Sequence, residues 1–266
     1  MSKNRLVYIS LLAFCVIGFW MFENFYTPAI YTPDQPDNLE VFSERFLPTS
    51  TFGEIVRHQY YMFSYSEDHE QAEWLAYGLK QEHLTDHDRK RPYFIEDPKV
   101  RTKSADWRNY KRSGYDRGHL CPAGDRRFSE YAYNETFYTS NVSPQNRAFN
   151  AGLWNRLEIQ IRRWCKRYGD MYIITAGVLE DGLVEIGEED VDVPDYFYKI
   201  VLRFEDGQPK ALAFLVPNAE VKKPLDQFLV PIDKLEAQTG IDFFHHQDES
   251  WQNEIELKVQ QNGWKF

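Results

Sequence analysis

From Leu6 to Phe22 the chain reads LVYISLLAFCVIGFWMF without a charge, with Lys3 and Arg5 ahead of it and Glu23 closing it. Such a run is short for a bilayer span, which takes about 20 residues, and long for the apolar part of a cleavable leader. Gly18 to Tyr26 is bulky and aromatic and offers no small-x-small cleavage site. Residues 1–24 therefore predict an uncleaved signal-anchor rather than a cleaved signal peptide, with Glu23 onward outside the cytoplasm. Residues 25–52 carry Pro28, Pro33, Pro36 and Pro48 without a sustained period and read as a tether. The folded domain is expected over 53–266.

Within that domain, periods of two and of 3.6 residues come mixed. Ile55 to Ser64 and Trp74 to Leu79 read as strands, residues 80–114 as polar and irregular, and Gly114 to Leu120 as a short extended piece. Residues 125–133 suit one helical stretch. Asn146 to Arg167 is the strongest helix, because Leu153, Leu157, Ile161 and Trp164 recur at threes and fours while Arg162, Arg163, Lys166 and Arg167 crowd its last turns. Met171 to Leu179, Tyr196 to Phe204 and Lys210 to Val216 are strands. Pro224 to Thr239 is two short helices, the second ended by Gly240. Without regular alternation of strand and helix, the fold class is α+β.

Composition adds little beyond excluding other classes. Hydrophobic residues at 42% and aromatics at 16% supply a large core and exclude disorder, while 3 Cys exclude a disulfide-stapled miniprotein. Charge changes the picture more. The net charge is −10, yet Arg89 to Arg167 holds 18 Lys and Arg against 8 Asp and Glu, leaving 13 against 33 elsewhere. A basic middle within an acidic protein suits phosphate binding with little indiscriminate adhesion.

The chemistry centres on Tyr115-Asp116-Arg117-Gly118-His119-Leu120. Some 30 residues on, Asn150, Glu158 and Arg162 are spaced by eight and four; each four-residue step drifts by roughly 40° on an α-helix, so they share one shoulder. An amide oxygen, a carboxylate and a guanidinium on one shoulder suit a hard cation and a phosphate, although Glu158 and Arg162 also make an ordinary i,i+4 surface pair.

Asp116-Arg117-Gly118-His119, Asn141-Val142-Ser143-Pro144-Gln145, Asn150-Ala151-Gly152-Leu153-Trp154 and Leu157-Glu158 closely resemble the DNA/RNA non-specific endonucleases. The likeness extends upstream through Ser64-Tyr65, Trp74 to Tyr77, Arg91, Phe94 and Asp97. Downstream it takes in Thr175-Ala176-Gly177, Val193-Pro194, Phe197 to Lys199, Pro217-Asn218, Thr239-Gly240 and Phe243-Phe244, spanning roughly 55–246. The resemblance implies the ββα-metal (His-Me finger) fold, a central mainly antiparallel sheet flanked by helices, here behind one N-terminal hydrophobic helix.

It also implies hydrolysis of DNA and RNA phosphodiesters with 5′-phosphate ends and one divalent cation, Mg²⁺ or else Mn²⁺ or another. His119 matches the general base and Asn150 the metal ligand. Glu158 matches a carboxylate that orients metal-bound water, Arg162 and Arg91 match phosphate-holding arginines, and Asp116 fixes local geometry or metal waters; Asn141 is the remaining site position. An ordinary imidazole predicts activity rising through about pH 6.5. Cys121 after Leu120, and the Ala176-Gly177 run, depart from the family's commoner residues without touching these roles.

Other functions stay open on sequence: an inactive nucleic-acid- or partner-binding relative, and a phosphodiesterase for smaller esters. Expected partners are DNA and RNA, and a membrane through the N-terminal helix; a homodimer and a protein inhibitor are left open. The expected location is anchored outside the cytoplasm in a bacterial envelope, with secretion or the mitochondrial intermembrane space as alternatives. Cys121 and Cys165 are candidates for a disulfide. His83 and His87 lack the Glu of a metalloprotease motif. Asn134 and Asn141 fit the glycosylation pattern.

Overall fold

The computed structural model describes residues 3–25, 44–51 and 54–266, and most of the expected tether lies outside them. The chain forms two units, Met1–Asp34 and Gln35–Phe266. The first contains helix α1, Lys3–Phe25, whose described side chains from Val7 to Met21 are all exposed. Among the described residues no helix is long and apolar enough to cross a membrane.

In the second unit a seven-stranded antiparallel sheet runs in the order β1-β2-β3-β6-β9-β10-β11. Its strands are β1 (Glu54–Arg57), β2 (Met62–Ser66), β3 (Gln71–Leu79), β6 (Met171–Gly177), β9 (Tyr196–Glu205), β10 (Gln208–Pro217) and β11 (Leu229–Val230). Two two-stranded ribbons stand apart from it: β4 (Tyr115–His119) with β5 (Val142–Asn146), and β7 (Val184–Ile186) with β8 (Val191–Val193). Helix α2 (Glu130–Glu135) lies between β4 and β5 in sequence, α3 (Asn155–Tyr168) packs on β9, and α4 (Ile232–Thr239) and α5 (Glu249–Ile255) pack on β10. The α+β expectation and its antiparallel sheet both stand.

Strand β3 is buried along nearly its whole length, which is why QAEWLAYGL lacks a clean polar alternation. Trp74 and Tyr77 differ in parity and so point to opposite faces. Trp74 Nε1 donates to the Thr49 carbonyl at 2.8 Å, whereas the Tyr77 hydroxyl donates to Asp125 at 3.1 Å. One face thus holds the incoming chain and the other carries the polar site. Phe46, 1% exposed, packs into the core, and Thr49 N bonds the Asp242 carbonyl, so packing begins ahead of the expected Gly53.

Several elements differ from the sequence expectation. The single strand over Ile55 to Ser64 is a hairpin, because His58 turns inward to meet Asp97 at 2.7 Å and Glu135 at 3.0 Å. The stretch 125–133 splits into a 3₁₀ turn, Ala123–Asp125, and α2, capped by the Ser129 side chain. Strand β5, VSPQN, contains a proline and little hydrophobic pattern, and it is held by pairing with β4. Cys121 and Cys165 are both buried and free, so the disulfide is not formed. Asn134 and Asn141 are buried, which withholds them from glycosylation in the folded chain.

Burial works against a charge on His58, but Asp97 and Glu135 more than offset it and push its pKa up to about 9. A group raised above its unfolded value stabilises the fold fully below about pH 6.5, and that contribution fades as pH rises through about 9. His58→Ala should cost about 3–5 kcal/mol at neutral pH by leaving two buried carboxylates uncompensated. Urea unfolding across that pH range should show the wild-type advantage shrinking.

Candidate active site

Strand β4, YDRGH, delivers the first part of the site. Alternation sends Tyr115, Arg117 and His119 to one side and Asp116 and Gly118 to the other. Gly118 is demanded by packing: a Cβ there would lie 2.0 Å from the Gln145 side chain. The Arg117 guanidinium lies 4.8 Å from the Phe94 ring centre, and the His119 ring sits 5.5 Å from Phe94 and 5.0 Å, edge-on, from Phe137. Exposed Arg91 covers the same two rings at 5.4 and 5.6 Å. Two aromatic side chains therefore floor an imidazole and two guanidiniums.

His119 Nε2 is buried and has no hydrogen-bond partner among the described residues. Burial, with the positive charge of Arg91, pushes its pKa down to about 3. The imidazole of the metal-free protein is therefore neutral in the physiological range, its pKa lying below the ordinary value near 6.5.

The second part comes from the segment after β5, where a π-helical turn over Phe149–Trp154 precedes α3. Such turns recur at functional sites because the widened backbone redirects side chains. Trp154 is buried against Phe149 and Phe197, and its Nε1 donates to the His119 carbonyl at 3.4 Å, tying this turn to the end of β4. Asn150 Nδ2 donates to Asp116 Oδ2 at 3.2 Å. That bond orients the amide and leaves Oδ1 as its free oxygen.

On α3, Arg162 Nη1 bonds Asp125 Oδ1 at 2.7 Å and lies 4.0 Å from Glu158 Oε2. Burial pushes the Glu158 pKa up to about 7 against the pull of Lys199 and Arg162, with Asp125 adding to the rise. Lys199 is itself fully buried, 4.5 Å over the Trp154 ring, and burial lowers its pKa while Glu158 holds it up.

His119, Asn150, Glu158 and Arg162 line one cavity of ≈ 380 Å³, together with Gly124 and Arg127. Asp116 stands behind Asn150, and Arg91 stands beside His119 on the aromatic floor. Asn141 is not brought into this group. It is fully buried, accepts from Cys121 N at 2.8 Å and donates to Cys121 O and Thr136 O, so it clamps the turn after His119. Sequence reasoning missed Arg117, Asp125 and Lys199. The lone Lys within the apolar run YFYKIVL was a usable signal for the last, since an unpaired lysine is rarely buried there.

A family pattern described as DNA/RNA non-specific endonuclease matches residues 42–250. The chain belongs to that family. Its relatives include proteins named as nucleases. The mitochondrial nuclease EXOG of Danio rerio is 35% identical over 201 residues, covering 69% of this chain and 59% of that protein. The mitochondrial endonuclease G of Homo sapiens is 36% identical over 201 residues, covering 69% and 67%. The chain spans only 49% of the Xenopus laevis EXOG and 59% of the Danio rerio protein. A solved EndoG/EndoGI complex, described as showing the mechanism of EndoG inhibition, matches with a TM-score of 0.69 and 30% identity over 74% of this chain and 88% of that one.

Two measurements check this geometry. In the metal-free protein, NMR titration should find the His119 imidazole neutral from pH 8 down to about pH 5, where an ordinary histidine has already charged. Asn141→Ala should cost about 1–3 kcal/mol of stability, because Cys121 N and two carbonyls lose their buried partner. Unfolding in urea reads that cost directly.

Proposed function

We propose that this endonuclease-family chain hydrolyses phosphodiester bonds of DNA and RNA with little sequence preference, leaving 5′-phosphate ends. The observation that carries the reading is His119, its Nε2 without a hydrogen-bond partner among the described residues, lining the same cavity as Asn150, Glu158 and Arg162. Water attacks phosphorus, His119 takes its proton, and the 3′-oxygen leaves. Arg162, braced by Asp125, and Arg91 and Arg117 on their aromatic floor, hold the phosphate and offset its growing charge. Contacts to phosphate rather than base edges explain the low specificity.

The donor set fits a hard cation. Asn150 presents an oriented amide oxygen and Glu158 a nearby carboxylate, His119 in the same cavity being kept for the proton, and Mg²⁺ tolerates few protein oxygens. Bound by Asn150, Mg²⁺ or Mn²⁺ would polarise the phosphoryl oxygen and stabilise the leaving one. Glu158, kept close to neutrality by its burial, would orient the waters of that ion.

We also propose that α1, apolar and exposed over its described side chains, attaches the protein to a membrane outside the cytoplasm or in the mitochondrial intermembrane space. Relatives named mitochondrial support a mitochondrial location, without distinguishing its compartments. Carbonate extraction of cells should leave the full chain in the membrane pellet; its release to the supernatant would refute attachment.

Plasmid DNA and ribosomal RNA incubated with the full chain should both be cut in Mg²⁺ and spared in EDTA. His119→Ala should lower the rate roughly 10²–10⁴-fold. Nucleic-acid binding with no cleavage under any divalent ion would mark an inactive relative. Turnover of bis-nitrophenyl phosphate with DNA left intact would mark a small-ester phosphodiesterase.

A further inference from the structure

The catalytic cavity does not end at Arg162. A second cavity of ≈ 370 Å³ shares Gly124, Arg127 and Arg162 with it and continues along Ile159, Arg163 and Lys166. Positions 159, 162, 163 and 166 are i, i+3, i+4 and i+7 on α3, and therefore one face of the helix. Arg127, Arg163 and Lys166 are all exposed, and Asp86 is the one acid among the residues that line the cavity.

The ion pairs that α3 makes among the described residues, Arg162 with Asp125 and with Glu158, stop at Arg162. Arg163 and Lys166 lie beyond them, so this face carries positive charge that the protein does not neutralise. Cations do suit a helix C-terminus, and that accounts for part of the pattern. It does not account for Arg127, which comes from the loop after β4. There Arg89 Nε donates to the Arg127 carbonyl at 2.9 Å and braces the loop against the 80–114 segment. Two separate elements thus aim cations at one cavity. Between them Ile159 leaves an apolar surface 36% exposed.

We propose that this second cavity is a track for the nucleic-acid strand beyond the cut. Arg127, Arg163 and Lys166 take backbone phosphate oxygens, and Ile159 faces the sugar. The inference rests on the nuclease reading and extends it to substrate length. From Arg162 to Lys166 the helix rises about 6 Å, enough for one or two nucleotides at about 3.4 Å of strand each. A substrate with only the scissile phosphate forgoes these contacts, so the track favours polymers over short esters.

The test is binding by the full chain in EDTA, which reads the track whether or not the protein cuts. The probes are a fluorescent long single strand and a dinucleotide with one phosphate. Arg163→Gln with Lys166→Gln changes two exposed helix positions to a good helix former. The double variant should bind the long strand on the order of tenfold more weakly at physiological salt. The slope of log affinity against log salt should fall by about 2, one for each cation removed. Its dinucleotide affinity should match wild type. Unchanged long-strand affinity and salt slope would overturn the track, as would an equal loss on both probes. If wild type binds as expected but cleaves neither polymer in Mg²⁺, the nuclease reading falls while the track stands.

Discussion

The ion pair of Asp125 with Arg162, 2.7 Å long and almost closed to water on the carboxylate side, is the contact on which the site depends. Asp125 spends its other oxygen on the Tyr77 hydroxyl, and so links α3 to the middle of the main sheet. Through Arg162 the pair reaches Glu158, and Glu158 in turn feels Lys199 from β9. Each charge would be costly to bury alone. Linked across strand, loop and helix, they hold those elements at one spacing. An arginine fixed by a buried carboxylate also needs little reorganisation when an anion arrives.

Two histidines show how far surroundings decide chemistry. His58 and His119 are both poorly solvated, and burial alone would push each down. His58 has a carboxylate against each ring nitrogen and ends up above its ordinary value. His119 has aromatic rings and an arginine and ends up well below it. The first is a charged structural tie and the second a neutral imidazole. Neither role is written in the residue type.

Much of the site was legible in the chain. Asp116 to His119 and the spacing of Asn150, Glu158 and Arg162 led to four side chains that line one cavity, with Asp116 beside it. Strands with apolar runs, such as Tyr196 to Phe204, were equally plain. The misses have a common physical cause. Asp125 and Lys199 take their places from partners far away in sequence: Asp125 spans 37 positions to Arg162, and Lys199 lies over Trp154. Strand β5 is buried yet lacks a hydrophobic pattern, because β4 pairs its backbone and Gln71 accepts from its Ser143 hydroxyl. The hairpin at His58 likewise depends on carboxylates from two other segments.

The π-helical turn over Phe149–Trp154 has a consequence for direction around the helix axis. On an unbroken α-helix, eight residues overshoot two full turns by roughly 80°, so Asn150 and Glu158 would sit at opposite edges of their shared shoulder. A wider turn advances each residue by less, and the one that contains Asn150 takes back much of that overshoot. The amide and the carboxylate then share a bearing while α3 keeps its own apolar side on the sheet. Making that turn regular α-helix with no residue removed would leave every cavity-lining side chain in the sequence and turn one of them away from the rest.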